Sequence, residues 1–434
     1  MIQLINTEMK EKIQKFFRET FASLHIRNFR LYIIGQAVSL CGTWMQTIGQ
    51  AWLVLKITNS GVQLGLVAAA QFLPMLFLGP WGGVIADRFS KKKLLYFTQT
   101  ASGILALVLG ILVGFGLVQL WMVYVLAVLL GLINTIDNPT RQTFIMEMVG
   151  KEQLTNAVSL NSTQVNLARV VGPAIGGTII ATVGLTPLFI INAISYIAVL
   201  TALHMMSNKE LRPGPLVARA KGQLKQGFLY IKSNPILRNT LLMMAIIGTL
   251  TYEFSVILPL FAEFTFHGGA GGYAALTVAM GLGSMVGGLY TASRKKTRPI
   301  MLLWAALLFG VTMLVAAIAP NLVLALLAMV LVGFFSINFL SLGNTTLQLE
   351  SEPQMRGRVM ALWAVAFLGS TPIGGPIIGW IGQYFSPRWG LATGGFAAIL
   401  AAALGTWALR KARLEAMAET IEDEIEINTG TKIL

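Results

Sequence analysis

The sequence has one cysteine, three histidines and very little charge. The lone Cys41 excludes an intrachain disulfide and any site built from several cysteines. His25, His204 and His267 are scattered, and neither HExxH nor a GxxxxGKS/T phosphate loop occurs. The pieces of a zinc enzyme or an ATP-driven pump are therefore missing, and no metal or cofactor is expected. Charged residues make up 12% of the chain, about half of the roughly 25% usual in soluble domains. What fills the chain instead is apolar. Of its 434 residues 55% are hydrophobic, gathered into runs of about 20 residues, long enough to cross a bilayer.

Length and turn signals predict twelve spans, at 31–56, 61–86, 94–116, 119–141, 156–183 and 186–206, then 240–264, 271–292, 299–318, 321–348, 358–384 and 388–409. The expected fold class is an all-α polytopic membrane protein. The first residues carry no signal peptide. They predict a surface helix, with Met9, Ile13, Phe16, Phe17, Phe21 and Leu24 on one face and Lys10, Lys12, Lys15 and Arg18 around it.

The net charge is +14. Such a balance can mean a nucleic-acid partner, but its placement argues against one. Arg88, Lys91, Lys92 and Lys93 follow the second span, and Lys209, Arg212, Arg219, Lys221, Lys225, Lys232 and Arg238 lie between the sixth and seventh. Arg294, Lys295, Lys296 and Arg298 follow the eighth, and Arg356 and Arg358 follow the tenth. The alternate connections GFGLVQ, TVGLTP and IAPN carry none; Lys56 and Arg388 are the basic residues of that side. This is the positive-inside pattern, with both termini in the cytoplasm. The lysines are read as setting topology.

The chain also repeats itself. Pro173 of GPAIGG and Pro376 of GPIIG stand 203 residues apart, as do Lys91 and Arg294, and Glu147 and Glu350. The expectation is two six-helix halves related by a pseudo-twofold axis. The boundaries are an amphipathic segment at 1–28, halves at 29–206 and 240–410, a basic linker at 207–239 and an acidic tail at 411–434. The linker carries its own amphipathic piece, with Leu224, Phe228 and Ile231 on one face. Substrate sites in such proteins lie between the repeats near the midplane.

GGVIADRFSKKK resembles the loop signature of the major facilitator superfamily, G-x-x-x-D-R-x-x-(K/R)-(K/R), matched by Gly83, Asp87, Arg88, Lys91 and Lys92. DNPTRQTF and NAVSLNSTQVNLARVVGPAIGG resemble the enterobactin-exporter-like, or transmembrane secretion effector, branch. The resemblance runs from about Phe29 to Leu409. It implies proton-driven transport of a small molecule, usually outward, by alternating access. It also implies a monomer, a cavity lined by the first, fourth, seventh and tenth helices, and a gate in which Asp87 meets the N-terminus of the eleventh. Two departures stand out. Tyr290 takes the place of Asp87 in the second copy, and Ala168 stands where the antiporter form of the GPAIGG motif has glycine.

The residues supply candidates of their own. Gly83 permits close helix approach, and Asp87 can accept hydrogen bonds at a helix N-terminus. With Arg88, Arg141, Gly172 and Pro173 they form the gating set. Gln36, Ser39, Thr43, Gln46 and Gln50 are spaced 3, 4, 3 and 4 apart on one face of the first span. That stripe is either a cavity wall or helix–helix hydrogen bonding. Asn134, Asp137, Asn138 and Arg141 share a face of the fourth span around Pro139, and Asp137 and Arg141 can pair within the helix. Asn338 of the tenth span joins the cavity candidates.

Arg169 lies about thirteen residues into the fifth span, on the order of 20 Å along it, with Ser162 and Asn166 on its face. It either pairs with Asp137 or attracts an anionic substrate. Glu253 is as deep in the seventh span, beside Thr249 and Tyr252, and at the repeat offset it meets Gln50. Low dielectric penalises the charged form of a carboxyl. Such a group can exist in either form near neutral pH, as a proton carrier must. Glu253, with Asp137 second, is the candidate for proton coupling; the plainer reading is a neutral packing residue.

The function expected is a proton-coupled exporter of a siderophore or drug in the bacterial inner membrane. An importer or facilitator is the alternative. A membrane-embedded enzyme or lipid-handling protein is disfavoured, because no cluster of catalytic groups is present.

Overall fold

The structure, a computed structural model, describes residues 20–212, 223–294, 298–352 and 355–429; for Pro80, 223–225, Pro299, Leu368 and 411–429 it describes the backbone alone. All regular structure among these residues is helical. Six long helices come first: α1 (Arg27–Thr58), α2 (Gly61–Arg88), α3 (Lys91–Gly114), α4 (Leu120–Val149), α5 (Leu154–Thr182) and α6 (Leu185–Met205). After them come α7 (Gln223–Ser233), α8 (Pro235–Leu250), α9 (Phe254–Leu260), α10 (Gly269–Ala292) and α11 (Pro299–Ala317). The chain ends with α12 (Leu322–Glu350), α13 (Arg356–Leu368), α14 (Thr371–Tyr384) and α15 (Pro387–Thr429).

Several helices start where their caps dictate. The Asn234 side chain accepts from the Ile236 and Leu237 amides at 3.0 and 3.2 Å, with Pro235 in the first turn of α8. Asn321 caps α12 in the same way, through the Leu324 amide at 3.0 Å.

Among the described residues, eleven helical stretches are long and apolar enough to cross a membrane. α1, at 32 residues, is long enough but falls outside that set. The amides and hydroxyls spread along it lower its hydropathy.

Two spans that read as continuous are broken. The seventh is interrupted at 251–253 between α8 and α9, and the eleventh at 369–370 between α13 and α14. α15 runs on to Thr429 instead of stopping at 409. The surface helix expected before Thr20 lies outside the described residues. In the linker α7 forms, with Ile231 buried and Phe228 exposed. Gly227 packs against α13, where an added Cβ would stand 3.0 Å from Arg358 Cβ.

The same pairings recur in α1–α6 and α8–α15. α2 lies on α4 as α10 lies on α12, α3 on α6 as α11 on α15, and α3 on α4 as α11 on α12. α1 packs on α5 and α6, as α8 packs on α13, α14 and α15. Glycine permits the closest of these approaches. A Cβ at Gly333 would meet the Met280 carbonyl and one at Gly283 the Val330 carbonyl. Gly82 faces the carbonyl of Thr135, the group that loses its intrahelical donor because Pro139 has no N–H.

Two seams join the helix sets: α2 against α14, and α5 against α10. The repeat exchanges one seam for the other. Both lie toward the end opposite the basic connections. At the first, Gly61 and Gly65 meet Gly379 and Gly375 backbone to backbone, and a Cβ at Gly375 would lie 2.9 Å from the Gly65 carbonyl oxygen. Ser60 Oγ and the Val62 amide hold Gln383 Oε1 at 2.7 and 3.1 Å at the same end. At the second, Gly177 meets Ala274, and Gly281 meets Val170.

Candidate functional site

α4 carries a charged pair. The Asp137 side chain is 2% exposed. It accepts from Thr98 Oγ1 at 2.6 Å, Gln99 Nε2 at 2.8 Å and Arg141 Nε at 2.9 Å, with Arg141 Nη2 also on it. Arg141 Nη1 donates to Gln36 Oε1 at 2.8 Å. Thr98 and Gln99, in α3, were not foreseen; nothing in the TQT stretch marks them as partners of a distant carboxylate.

The α1 stripe turns largely toward neighbouring helices. Gln36, Ser39 and Gln46 are buried. Gln46 Oε1 accepts from Asn192 of α6, and Gln50 Nε2 donates to Gln71 of α2 at 3.3 Å. Thr43 is exposed and its hydroxyl returns to the Ser39 carbonyl at 2.9 Å. Asn338 is likewise engaged within its own helix set. It accepts from Thr291 Oγ1 at 2.6 Å and donates to the Phe334 carbonyl at 2.6 Å.

Glu253 stands on the break of the seventh span, where its backbone carbonyl accepts from the Val256 and Ile257 amides at 3.0 Å. The residue is 2% exposed, and its Oε1 has no hydrogen-bond partner. The Thr371 hydroxyl at the start of α14 lies against the carboxyl. Gly374 makes room for it: a Cβ there would be 2.9 Å from Oε1. The next residue, Gly375, is the one that meets Gly65, so the carboxyl sits beside the α2–α14 seam. Tyr252 packs among Phe254, Phe309 and Phe367, with ring centroids at 6.1, 5.4 and 5.0 Å, and donates to the Ser336 carbonyl at 2.7 Å. The Thr249 hydroxyl is returned to the Ala245 carbonyl at 2.6 Å.

Arg169 does not pair with Asp137. Asp137 is committed to Arg141, and among the described residues Arg169 forms no ion pair. Its Nε is buried without a partner, and its guanidinium carbon lies 5.0 Å from the centre of the Trp44 ring. Gly172, one turn on, is what lets α1 come this close, since a Cβ there would stand 2.6 Å from Trp44 Cβ and 2.7 Å from the Cys41 carbonyl. Pro173 beside it is buried.

The residues of the loop signature stand apart from the eleventh span in this conformation. Gly83 is buried, Asp87 half-buried and Arg88 exposed, and Asp87 forms no hydrogen bond or ion pair among the described residues. α2 reaches α13 at Leu76, near Gly369, rather than at the α13 N-terminus. The expected contact of Asp87 with the eleventh span is thus not made here, because the helix sets meet at the opposite end. The lysines of the basic loop also hold neighbouring helix ends. Lys91 Nζ pairs with Glu147 at 2.7 Å, and Lys92 Nζ donates to the Met206 carbonyl and Asn208 Oδ1 at 2.9 and 2.8 Å. The seam glycines were also missed, although Gly61–Gly65 and Gly375–Gly379 are both small-xxx-small pairs readable in the sequence.

The fold is two repeated helix sets with buried polar groups inside each, and comparison with known proteins makes it a membrane transporter of the major facilitator type, not an enzyme. Residues 18–428 match the family model described as transmembrane secretion effector, and the chain belongs to that family. It is 27% identical over 327 residues to the staphyloferrin A transporter of Staphylococcus aureus, covering 74% of this chain and 81% of that one. It is 24% identical over 381 residues to the enterobactin exporter of Shigella flexneri, covering 86% and 89%. The multidrug efflux pump Tap of Mycolicibacterium fortuitum is 26% identical over 346 residues, covering 77% and 84%. Among solved structures, a bacterial homologue of the lysosomal transporter Spinster, inward-facing and unoccupied, superposes with a TM-score of 0.67 at 16% identity, covering 89% of this chain and 97% of that one. An inward-facing bacterial homologue of ferroportin gives 0.68 at 15%, covering 88% and 98%.

Proposed function

We propose that this multi-pass transporter is a proton-coupled exporter of a small organic molecule, a siderophore or a drug, working as a monomer in the bacterial inner membrane with its basic end in the cytoplasm. The observation that carries the proposal is the Glu253 carboxyl, buried on the break of the seventh span beside the α2–α14 seam. A carboxyl can take up and release a proton. One held next to the glycines on which the two helix sets meet can link its proton to the opening of that seam. In this conformation the path is closed away from the basic end, as a transporter receiving cytoplasmic substrate would be. The relatives named for enterobactin export and multidrug efflux support the outward direction. The positive-inside pattern supports the orientation.

The test is uptake into inside-out membrane vesicles offered enterobactin, staphyloferrin A and ethidium in turn, with and without an acid interior. Accumulation of one of them that requires the pH gradient supports the proposal. Equilibration without accumulation would make the protein a facilitator, and accumulation only in right-side-out vesicles an importer.

A further inference from the structure

Arg169 is a charged side chain at depth with no ion pair among the described residues. Asp137 is held by Arg141 and Glu147 by Lys91, and Glu253 forms no ion pair with Arg169 among the described residues. An arginine inside a membrane protein is costly and is kept where it pairs or faces a water-filled path. Here pairing is ruled out among the described residues, and polar side chains lead away from the guanidinium along α5. Asn166 is half-exposed and Ser162 exposed on the same face of α5, one and two turns toward the basic end, and neither has a side-chain hydrogen-bond partner among the described residues. In the opposite direction the way is shut, by Gly281 against Val170 and then by Gly177 against Ala274. Tyr252, of the other helix set, is within electrostatic reach of the guanidinium. Arg169 thus stands at the blind end of a polar strip, with an unpartnered Nε and a flat indole beneath it.

We propose that Arg169 and Trp44 form the subsite that receives a carboxylate or similar planar oxyanion of the substrate, so that the transported molecule is an organic anion. The guanidinium fork matches the two oxygens of such a group and fixes its plane. Trp44 supplies a surface along which an attached ring or chain can lie. Gly172 then has a specific purpose, because it holds α1 close enough for the indole to sit under the fork. The inference rests on reading the space between the helix sets as the substrate path. It does not depend on the direction of transport or on proton coupling.

The experiment compares binding of 1-naphthoate with that of its neutral isostere 1-naphthamide, by calorimetry on the purified full chain. The parent protein is expected to prefer naphthoate by about 10- to 100-fold, the range of a charge-assisted hydrogen-bonded pair. Arg169→Gln should bring the ratio of the two affinities to about 1, and Arg169→Lys should keep part of the preference. Equal affinity for the two probes in the parent protein, or no binding of naphthoate, overturns the inference without recourse to any variant. A preference undiminished in Arg169→Gln overturns it as well. Should the preference be present while the vesicles accumulate nothing, the inference stands and the export reading fails.

Discussion

Arg141 closes over Asp137 from one helical turn away, with Nε at 2.9 Å from Oδ2 and Nη2 on the same oxygen. The charge of Asp137 is therefore balanced within α4, and Thr98 and Gln99 of α3 complete the shell on Oδ1. Removing one partner leaves a buried charge unpaired, which costs about 3–5 kcal/mol. Arg141→Leu should lower the unfolding midpoint in detergent strongly, and Arg141→Leu with Asp137→Asn should cost less than the sum of the single changes. The same cycle between Asp137 and Arg169 should show no coupling. A large coupling there, with none to Arg141, would contradict the arrangement.

Lys91 and Glu147 make a second pair, 2.7 Å long with side chains 13% and 10% exposed. It ties the start of α3 to the end of α4. Its partial burial puts its worth between that of a surface and a buried pair, about 1–3 kcal/mol. Glu350, the counterpart of Glu147 in the repeat, is exposed. Thermal unfolding should accordingly find Glu147→Gln destabilised and Glu350→Gln unchanged; equal effects would count against the pair.

The seam glycines should govern which end is open. A side chain at Gly65 would enter the Gly375 backbone. Overpacking of this kind costs about 1–3 kcal/mol, enough to shift a two-state equilibrium by about 5- to 150-fold. Spin labels at positions 60 and 383, with Cys41 replaced, should report a short distance in the parent protein and a longer one in Gly65→Leu. An unchanged distance distribution in the variant would mean that this seam does not gate.

Among the described residues the Asp87 side chain has no partner in this conformation, and it is expected to be held in the other, where the parted ends close. Asp87→Asn should therefore leave stability within roughly 0.5 kcal/mol, as for an ordinary surface change, while impairing transport. Spin labels near positions 87 and 358 should show the closed distance less populated. Normal transport would reduce the DR signature to a topology signal.

Much of this arrangement is legible from the residues alone. Span lengths follow from bilayer thickness, and the repeat offset implies two like halves, with which the packing of α2 on α4 and of α10 on α12 agrees. The breaks were hidden by unbroken apolarity, although Ser370-Thr371-Pro372 carries a helix-start signal. At Glu253 there is no such signal, since Thr251, Tyr252 and Glu253 are ordinary helix-interior residues until tertiary contacts decide. Arg169 could be placed at depth, but its partner could not be named. Both Arg141 and Arg169 are sensible partners for Asp137 by spacing, and three-dimensional packing alone excludes the second.

The account turns on Glu253 as the proton carrier, and Glu253→Gln tests it most directly. Gln keeps the shape and most of the hydrogen-bonding capacity of the side chain but cannot exchange a proton. The measurement is accumulation, in inside-out vesicles over a series of imposed pH gradients, of whichever offered compound the parent protein concentrates. The account predicts that the variant still equilibrates the compound downhill and no longer responds to the gradient. If the variant concentrates it as the parent does, Glu253 is a packing residue and the coupling lies elsewhere, with Asp137 the next group to change.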